Sequence, residues 1–544
     1  MALFYLLLQS VLVAVLTSVC WFIWKLVAKH PFDNIPGPTR QSLWKGNAGQ
    51  IFDSYGWKFH QMLIEKYGPV SKVHGLLGTK QLYVFDPTAM HHILVKDQYV
   101  YEETDNFIET NKIVFGNGLL STIGDHHKRQ RKMLNPVFST SHMRHMVPVF
   151  QTITDTLRDM ISKQIENGPQ EINMLEWFTR TALELVGQSG LGYSFDSLKD
   201  STPNPYSVAV KNLLPGLFKL IIPRQFLYLL VKIGPANFRK WIVKITPWKA
   251  LQEINNIVEI MDQTSKEVFR SKKAALEKGD DAVLQQVGQG KDIISILLKA
   301  NMAASEDDRL QDDELLAQMT TLVFAAMDTT SGALARTFLT LAHHPEAQVK
   351  LREEVTQARA EKGNLDFDDL VNLPYLDAVC RETLRLYPPV TWVSRTARKD
   401  IILPFGNPVR GVDGNELHEV LVPKDTSLIV SIIGSNHNCA IWGDDALEWK
   451  PERWLSPLPK TVTEAGIPGV YSHLMTFIGG GRSCIGFKFS QLEMKIVLAT
   501  LIEAFTFTPS KDITWTLGLS APKVKDLPQG KFQLPLIVDR VQAA

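Results

Sequence analysis

The run Phe477-Ile478-Gly479-Gly480-Gly481-Arg482-Ser483-Cys484-Ile485-Gly486 sets a single cysteine among glycines, two residues after an arginine and at the start of a helical pattern. That arrangement suits a thiolate bound to iron. Phe489, Leu492, Ile496 and Ala499 recur at helical spacing, so Cys484 falls near a helix N-terminus, where free amides and the helix dipole favour an anion. The glycines let the backbone approach a flat macrocycle closely, and Arg482 can pair bidentately with a carboxylate. A second cluster, Asp328-Thr329-Thr330-Ser331, breaks the apolar character of Leu322 to Ala326. Acid and hydroxyl groups in mid-helix compete with the backbone ladder, and a local opening beside them admits water or dioxygen. In a third, Glu382 and Arg385 stand three apart on a helix that Pro388 must end, so they share a face and can pair. Taken alone, such a pair is a solvated contact contributing under about 0.5 kcal/mol.

Phe477, Gly480, Arg482, Cys484 and Gly486 read as Phe-x-x-Gly-x-Arg-x-Cys-x-Gly, which resembles the haem-binding signature of the cytochrome P450 family. For the cysteine alone, a buried thiol in a glycine-rich turn is the alternative. The resemblance implies that Cys484 ligates the iron of haem b (iron protoporphyrin IX), with Arg482 on a propionate and Phe477, Gly480 and Gly486 shaping the loop. It implies that Glu382 and Arg385, together with Arg453 of Pro451-Glu452-Arg453-Trp454, form a structural ion-pair network behind that loop. Asp328 and Thr329 match the acid and alcohol pair that supplies protons for dioxygen activation, a general-acid role. Two departures stand out. Ala326 occupies a position where many members carry glycine, which narrows the expected helix kink. His127-x-x-x-Arg131 replaces the usual Trp-x-x-x-Arg that holds a propionate; imidazole can still donate to a carboxylate, so both residues are retained. Arg395 matches the arginine that reaches the other propionate, with an ordinary strand-edge charge as the alternative.

Long helical patterns position these groups. Asp313 to His343 reads as one helix of unusual length, and Pro345 suits the first turn of the next, through Glu361. Val70 to Asp86 reads as a strand hairpin, and strand-like segments return at Val390 to Leu403, Thr426 to Ile433 and in the C-terminal tail. The charge-rich stretch Ser271 to Lys291 reads as a surface loop. The fold class is therefore mainly α with a small β portion, and the resemblance implies a single P450-type helical domain over residues 51–544. Residues 2–28 are expected to form a transmembrane signal-anchor helix, since no charge occurs between Ala2 and Trp24 and such a helix spans a hydrocarbon core of roughly 30 Å. A cleaved signal peptide is the rival reading. Residues 29–50, with Ile35-Pro36-Gly37-Pro38, form a stiff hinge resembling that of microsomal members. Lys25 and Lys29 after the apolar run place the catalytic body in the cytosol, single-pass in the endoplasmic reticulum membrane.

Lys+Arg 58 against Asp+Glu 57 argues against wholesale binding to nucleic acid. Four scattered cysteines form no C-x-x-C pair and no disulfide framework. The resemblance implies a monooxygenase that inserts one oxygen atom of dioxygen into a lipophilic substrate: terpenoid, polyketide, steroid-like or aromatic, in fungal secondary metabolism or xenobiotic oxidation. With no G-x-G-x-x-G or Walker loop in the chain, it implies that electrons come from NADPH through a separate NADPH-cytochrome P450 reductase, with cytochrome b5 as a further partner. Lys128, Arg129, Lys132, Lys488 and Lys495 are candidates for a basic docking face, or are solvated helix-surface charges. Leu213 to Trp248 reads either as an apolar segment that dips into the bilayer or as a buried helix pair. The rival functions are a haem-thiolate isomerase or dehydratase, against which Asp328 and Thr329 argue, and a non-catalytic membrane haem or sterol binder, in which Thr329 and the basic face would have no purpose.

Overall fold

The structure is a computed structural model that describes every residue except 1–3, 7–8, 11, 14, 18–19, 21–27, 200–203, 280–281, 283–286, 289, 526, 528–531 and 542–544. It is mainly helical with a minor share of sheet. Where the sequence suggests one domain, the described residues gather into two compact units built from interleaved segments. Met1–Glu102, Val390–Leu447 and Pro459–Arg482 make the first; Glu103–Pro389, Glu448–Leu458 and Ser483–Ala544 make the second.

The first unit holds the larger sheet. Strands β1 (Val70–His74) and β2 (Lys80–Val84) form the expected hairpin, with Val70 opposite Val84. Strands β3 (Tyr101–Glu102), β4 (Trp392–Ala397), β5 (Ile401–Arg410), β6 (Glu416–Val422) and β7 (Ser427–Ser431) follow. The five-stranded sheet runs β1-β2-β7-β4-β3, parallel between β2 and β7 and antiparallel elsewhere, while β5 and β6 pair apart as a hairpin. Its apolar side chains explain the pairing: Val73, Leu82 and Val430 are wholly buried. A parallel pair needs a crossover, and between β2 and β7 the chain builds most of the second unit.

The second unit carries helices α1 (Asp105–Phe115), α2 (Gly124–Leu134), α3 (Thr140–Gln164), α4 (Met174–Leu185), α5 (Pro205–Lys219), α6 (Ala236–Ile245) and α7 (Lys249–Lys278). They are followed by α8 (Ile293–Ala303), α9 (Asp312–His343), α10 (Pro345–Lys362), α11 (Pro374–Leu386) and α12 (Phe487–Ala504). Helix α9 is the expected long helix. Gln311 and Glu314 close a reciprocal capping box at its start, and Pro345 opens the next helix. Its second half is core: Phe338 is wholly buried and packs on Phe178 and Phe507 with ring centroids 4.9 and 4.8 Å away.

One expectation changes. The stretch Ser271 to Lys291 is not loop throughout, because α7 continues to Lys278. Lys272 and Ala275 are buried there, and Lys272 Nζ meets Asp292 Oδ2 at 2.8 Å, so the helix is held from inside despite its charged composition. Among the described residues no helix is long and apolar enough to cross a membrane; much of the anchor expected over residues 2–28 lies outside them.

The Glu382–Arg385 pair is not a surface contact. Both side chains are fully buried, and Arg385 Nε and Nη2 donate to Glu382 Oε2 and Oε1 at 2.9 and 2.8 Å. The Trp454 indole N–H (2.9 Å), the Lys450 amide (3.1 Å) and Arg453 Nε (3.4 Å) also reach the Glu382 carboxylate. Arg385 Nη2 donates onward to the Glu448 carbonyl at 3.2 Å. The expected triad is thus the clamp that fixes the Glu448–Leu458 segment on α11. Replacing Arg385 with Met leaves Glu382 charged and dry, which costs about 3–5 kcal/mol. The expected outcome is a large fall in melting temperature and in the yield of folded protein; an unchanged melt would show that the pair contributes nothing to stability.

Candidate active site

The signature loop is shared between the two units, whose boundary falls between Arg482 and Ser483. In the first unit, Asn436 accepts the Met475 amide at 2.9 Å and donates to Thr476 Oγ1 at 3.0 Å, fixing the turn that ends in Phe477. Phe477 is nearly buried and stands edge-on to Tyr471. Gly480 has φ +74°, and a Cβ there would lie 1.8 Å from the Leu94 carbonyl oxygen, so no other residue fits. The next amide, Gly481 N–H, donates to Gln98 Oε1 at 2.6 Å. Arg482, expected on a haem propionate, meets a carboxylate of the chain itself: its Nη2 lies 3.1 Å from Glu102 Oε2 on β3, with both side chains almost enclosed. Arg395 on β4 is 2 % exposed, and its Nη1 donates to the Ser394 carbonyl at 2.8 Å.

In the second unit, Ser483 and Cys484 precede α12, whose N-cap is Gly486. Arg131 on α2 braces this segment from the side: Nη1 donates to the Ser483 carbonyl at 2.6 Å, Nη2 to Ser483 Oγ at 3.2 Å and Nε to Asn135 Oδ1 at 3.0 Å. His127 is buried one turn earlier on the same face of α2. Cys484 keeps an open surface although it sits deep among protein atoms. Those surroundings push its thiol up from its ordinary value, while the Gly486 amide and the Arg131 charge pull it back. A Cβ on Gly486 would meet nothing within 4 Å, so the backbone there borders open space.

Asp328 and Thr329 lie halfway along α9, where Phe324, Ala325, Ala326, Asp328 and Thr329 keep open surface on a helix otherwise largely buried. The expected opening of the helix is not present. All of α9 from Asp312 to His343 remains α-helical, and Thr329 Oγ1 donates to the Ala325 carbonyl at 2.7 Å. Alanine at position 326 suits this regular course. Burial pushes the Asp328 carboxyl up to about 6, against the pull of the Lys211 ammonium on α5. Lys211 Nζ donates to Thr179 Oγ1 at 2.9 Å. Lys495 cannot belong to a basic docking face: it is 1 % exposed and gives its ammonium to Asp377 Oδ1 at 2.7 Å, because it lies on the face of α12 turned to the core. Lys488 is also drawn inward, to Thr140 Oγ1 at 2.8 Å. Lys128 and Lys132 remain solvent-facing, paired with Asp125 and Asp308.

Residues 36–520 match the family model described as Cytochrome P450. The chain belongs to the cytochrome P450 family. It is 52% identical over 533 residues to cytochrome P450 monooxygenase 91 of Postia placenta, covering 96% of this chain and 98% of that one. It is 43% identical over 525 residues to a ganoderic acid synthetase of Ganoderma lucidum (94% and 96% covered) and 38% identical over 543 residues to a monooxygenase of Hericium erinaceus (97% of each). This P450 is accordingly a monooxygenase whose cofactor is haem b, with electrons supplied by a redox partner. The residues present fit that group. An accessible soft sulfur ligand stands beside an amide donor and a guanidinium, and Gly486 leaves room for a flat ring.

Glu102 and Lys211 were not legible as site residues. Glu102 is 380 residues from Arg482 in the chain, and no local pattern marks it. Cys484→Ala is expected to abolish the thiolate-type carbon monoxide difference spectrum of the reduced protein. Arg131→Ala, which frees the Ser483 carbonyl but spares the ligand, should keep the spectrum's position while haem is lost faster to an acceptor protein. Retention of the spectrum in Cys484→Ala would show that a different group holds the iron.

Proposed function

We propose that this monooxygenase oxidises a lipophilic substrate lying along the open stretch of α9, with Cys484 as the iron ligand and Asp328 and Thr329 as the proton path. The observation that carries this reading is the composition of that stretch. Phe324, Ala325 and Ala326 offer apolar surface directly before an acid and an alcohol, and Phe115 of α1 extends it, its ring 4.9 Å from that of Phe324. Arg482, Arg395, His127 and Arg131 are assigned to the haem propionates, with Phe477, Gly480 and Gly486 shaping the loop. Bound through Cys484, the haem supplies oxygen activation, because a thiolate pushes electron density onto the iron and favours O–O cleavage.

The chain's own part is proton supply. With its carboxyl near 6, Asp328 changes protonation close to working pH, where a relay group is most effective. The Thr329 hydroxyl, now committed to the Ala325 carbonyl, can rotate to pass a proton from its neighbour. The electron donor is assigned as NADPH-cytochrome P450 reductase, with cytochrome b5 as a second donor, docking on the Lys128 and Lys132 side of α2. A place in secondary metabolism is supported by the relative named as a ganoderic acid synthetase.

Attachment to the endoplasmic reticulum membrane, with the catalytic body in the cytosol, is part of the proposal. Residues 2–28 would be one contact. A second is supported by α6, in which no residue is buried and Phe238, Trp241, Ile242 and Ile245 fall at i, i+3, i+4 and i+7 with Arg239, Lys240 and Lys244 between them. The alternative of a buried helix pair fails for this part, since Phe226, Leu230 and Ile233 are exposed as well.

Thr329→Val keeps shape but removes the hydroxyl. NADPH consumption with reductase and a lipophilic substrate panel should continue, with peroxide released and product down by about a hundredfold. Equal coupling of NADPH to product in this variant would exclude the role. The carboxyl of Asp328 is raised, so it keeps its proton up to about pH 6 and empties above that. Product formation should therefore fall as pH rises through that value, and Asp328→Asn should remove this limb of the profile. Deleting residues 2–28 should leave partial membrane attachment that Trp241→Ser with Ile245→Ser abolishes; full release by the deletion alone would exclude the second contact.

A further inference from the structure

Thr110 and Asn111 on α1 are buried together with Val114 and Phe115, and these four mark the inward face of that helix. Arg224, the last residue of the single helical turn Ile221–Arg224 that follows α5, reaches this face. Its Nε donates to Thr110 Oγ1 at 3.2 Å and its Nη1 to the Leu217 carbonyl at 3.3 Å. Both partners are neutral. Among the described residues no carboxylate pairs with this half-buried guanidinium, although Glu109 stands next to Thr110 in the chain. Its Nη2 has no partner among them either, and keeps contact with open space. Burial pulls the group down to about 10 with no acid opposing it.

An arginine drawn partly out of water is ordinarily paired, because a cation with only neutral partners forfeits hydration that they do not restore. A ligand anion would recover that loss. The donors still open on Nη1 and Nη2 form a planar fork, which fits a carboxylate through two parallel hydrogen bonds. Position decides where the anion comes from. Phe226, two residues further on, is exposed with the apolar surface assigned to the bilayer, whereas Arg224 is held to Thr110, which is only 5 % exposed. Thr110 lies five residues before Phe115, a rise of about 7–8 Å along α1. Phe115 in turn packs on Phe324, with ring centroids 4.9 Å apart. The cation and the open stretch of α9 are therefore reached from two ends of one helix face, with Val114 and Phe115 between them.

We propose that Arg224 anchors the carboxylate of the substrate, which is therefore a lipophilic carboxylic acid whose apolar body runs from Thr110 past Phe115 to Phe324. Held this way, the carbons beside the carboxyl are kept away from Asp328 and Thr329, and oxidation falls at the far end of the molecule. The course of the apolar body rests on the reading of α9 given above; the preference of Arg224 for an anion does not.

The test titrates the full haem-loaded protein in detergent with lauric acid and oleanolic acid, each against its methyl ester, and follows the change in the haem spectrum at neutral pH, where the acids are ionised. Wild type should bind the acids about ten- to a hundredfold more tightly than the esters, and only the acids should weaken as salt rises. Arg224→Gln should remove that preference at unchanged haem content, while Arg224→Lys, which keeps the charge but loses the fork, should retain part of it. An intact preference in Arg224→Gln, whether acid and ester lose affinity equally or not at all, would overturn the assignment. Equal affinity for acids and esters in wild type would do the same, and that comparison decides the matter even if Arg224→Gln fails to fold. Weaker attachment of Arg224→Gln to phosphatidylserine vesicles, with acid affinity unchanged, would make the anion a lipid headgroup and also overturn it. In turnover with reductase, oxidation beside the carboxyl would overturn the stated orientation. If neither acids nor esters perturb the haem, the lipophilic-substrate reading and this anchor fall together; if the acid preference depends on Arg224 while Thr329→Val couples normally, the anchor stands and only the proton path has failed.

Discussion

One carboxylate with nowhere to go organises the second unit. Glu382 is fully enclosed on α11, and an ion in that position is tolerable only when its lone pairs are filled. Two guanidiniums, an indole N–H and a backbone amide fill them, and three of those four donors come from Lys450, Arg453 and Trp454. The segment Glu448–Leu458 has little regular structure of its own beyond one short turn at Pro451–Trp454. Its course is therefore set by the geometry of a buried charge more than by secondary structure, and its neighbours in the chain on either side belong to the first unit.

Helix α9 shows how surroundings assign different work to similar acids. At its start, burial opposes the charge on Glu314, but the Gln311 amide, His126 and Gln130 outweigh it and hold the carboxyl below its ordinary value, as suits a cap. Halfway along, burial outweighs the pull of the Lys211 ammonium and pushes the Asp328 carboxyl up to about 6. Glu493 on α12 is fully buried, and that burial drives its carboxyl well above its ordinary range. The ordering follows from the partners each site supplies, since intrinsic acidities differ little.

Much of this was legible in the sequence because it was local. The spacing around Cys484, the hairpin at Val70, the length of α9 and the Glu382–Arg385 pair are all short-range patterns, and each corresponds to what the fold contains. What escaped was long-range or contrary to a residue's usual habit. Lys495 and Lys272 look like surface lysines and are buried because acids at Asp377 and Asp292 await them. Glu102 becomes a partner of Arg482 only after the fold brings β3 to the loop, and the regular course of α9 reflects Ala326, whose effect the sequence reading put as a narrowing of the kink.

The apolar face of α6 has a bearing on the protein's behaviour in bulk water. Phe238, Trp241 and Ile245 each expose between 43 and 56 % of their surface. Such a face lowers its free energy by meeting any other apolar surface, and a second copy of the chain always carries one. Association through it is second order in protein, so dilution favours the single molecule and concentration favours association through this face.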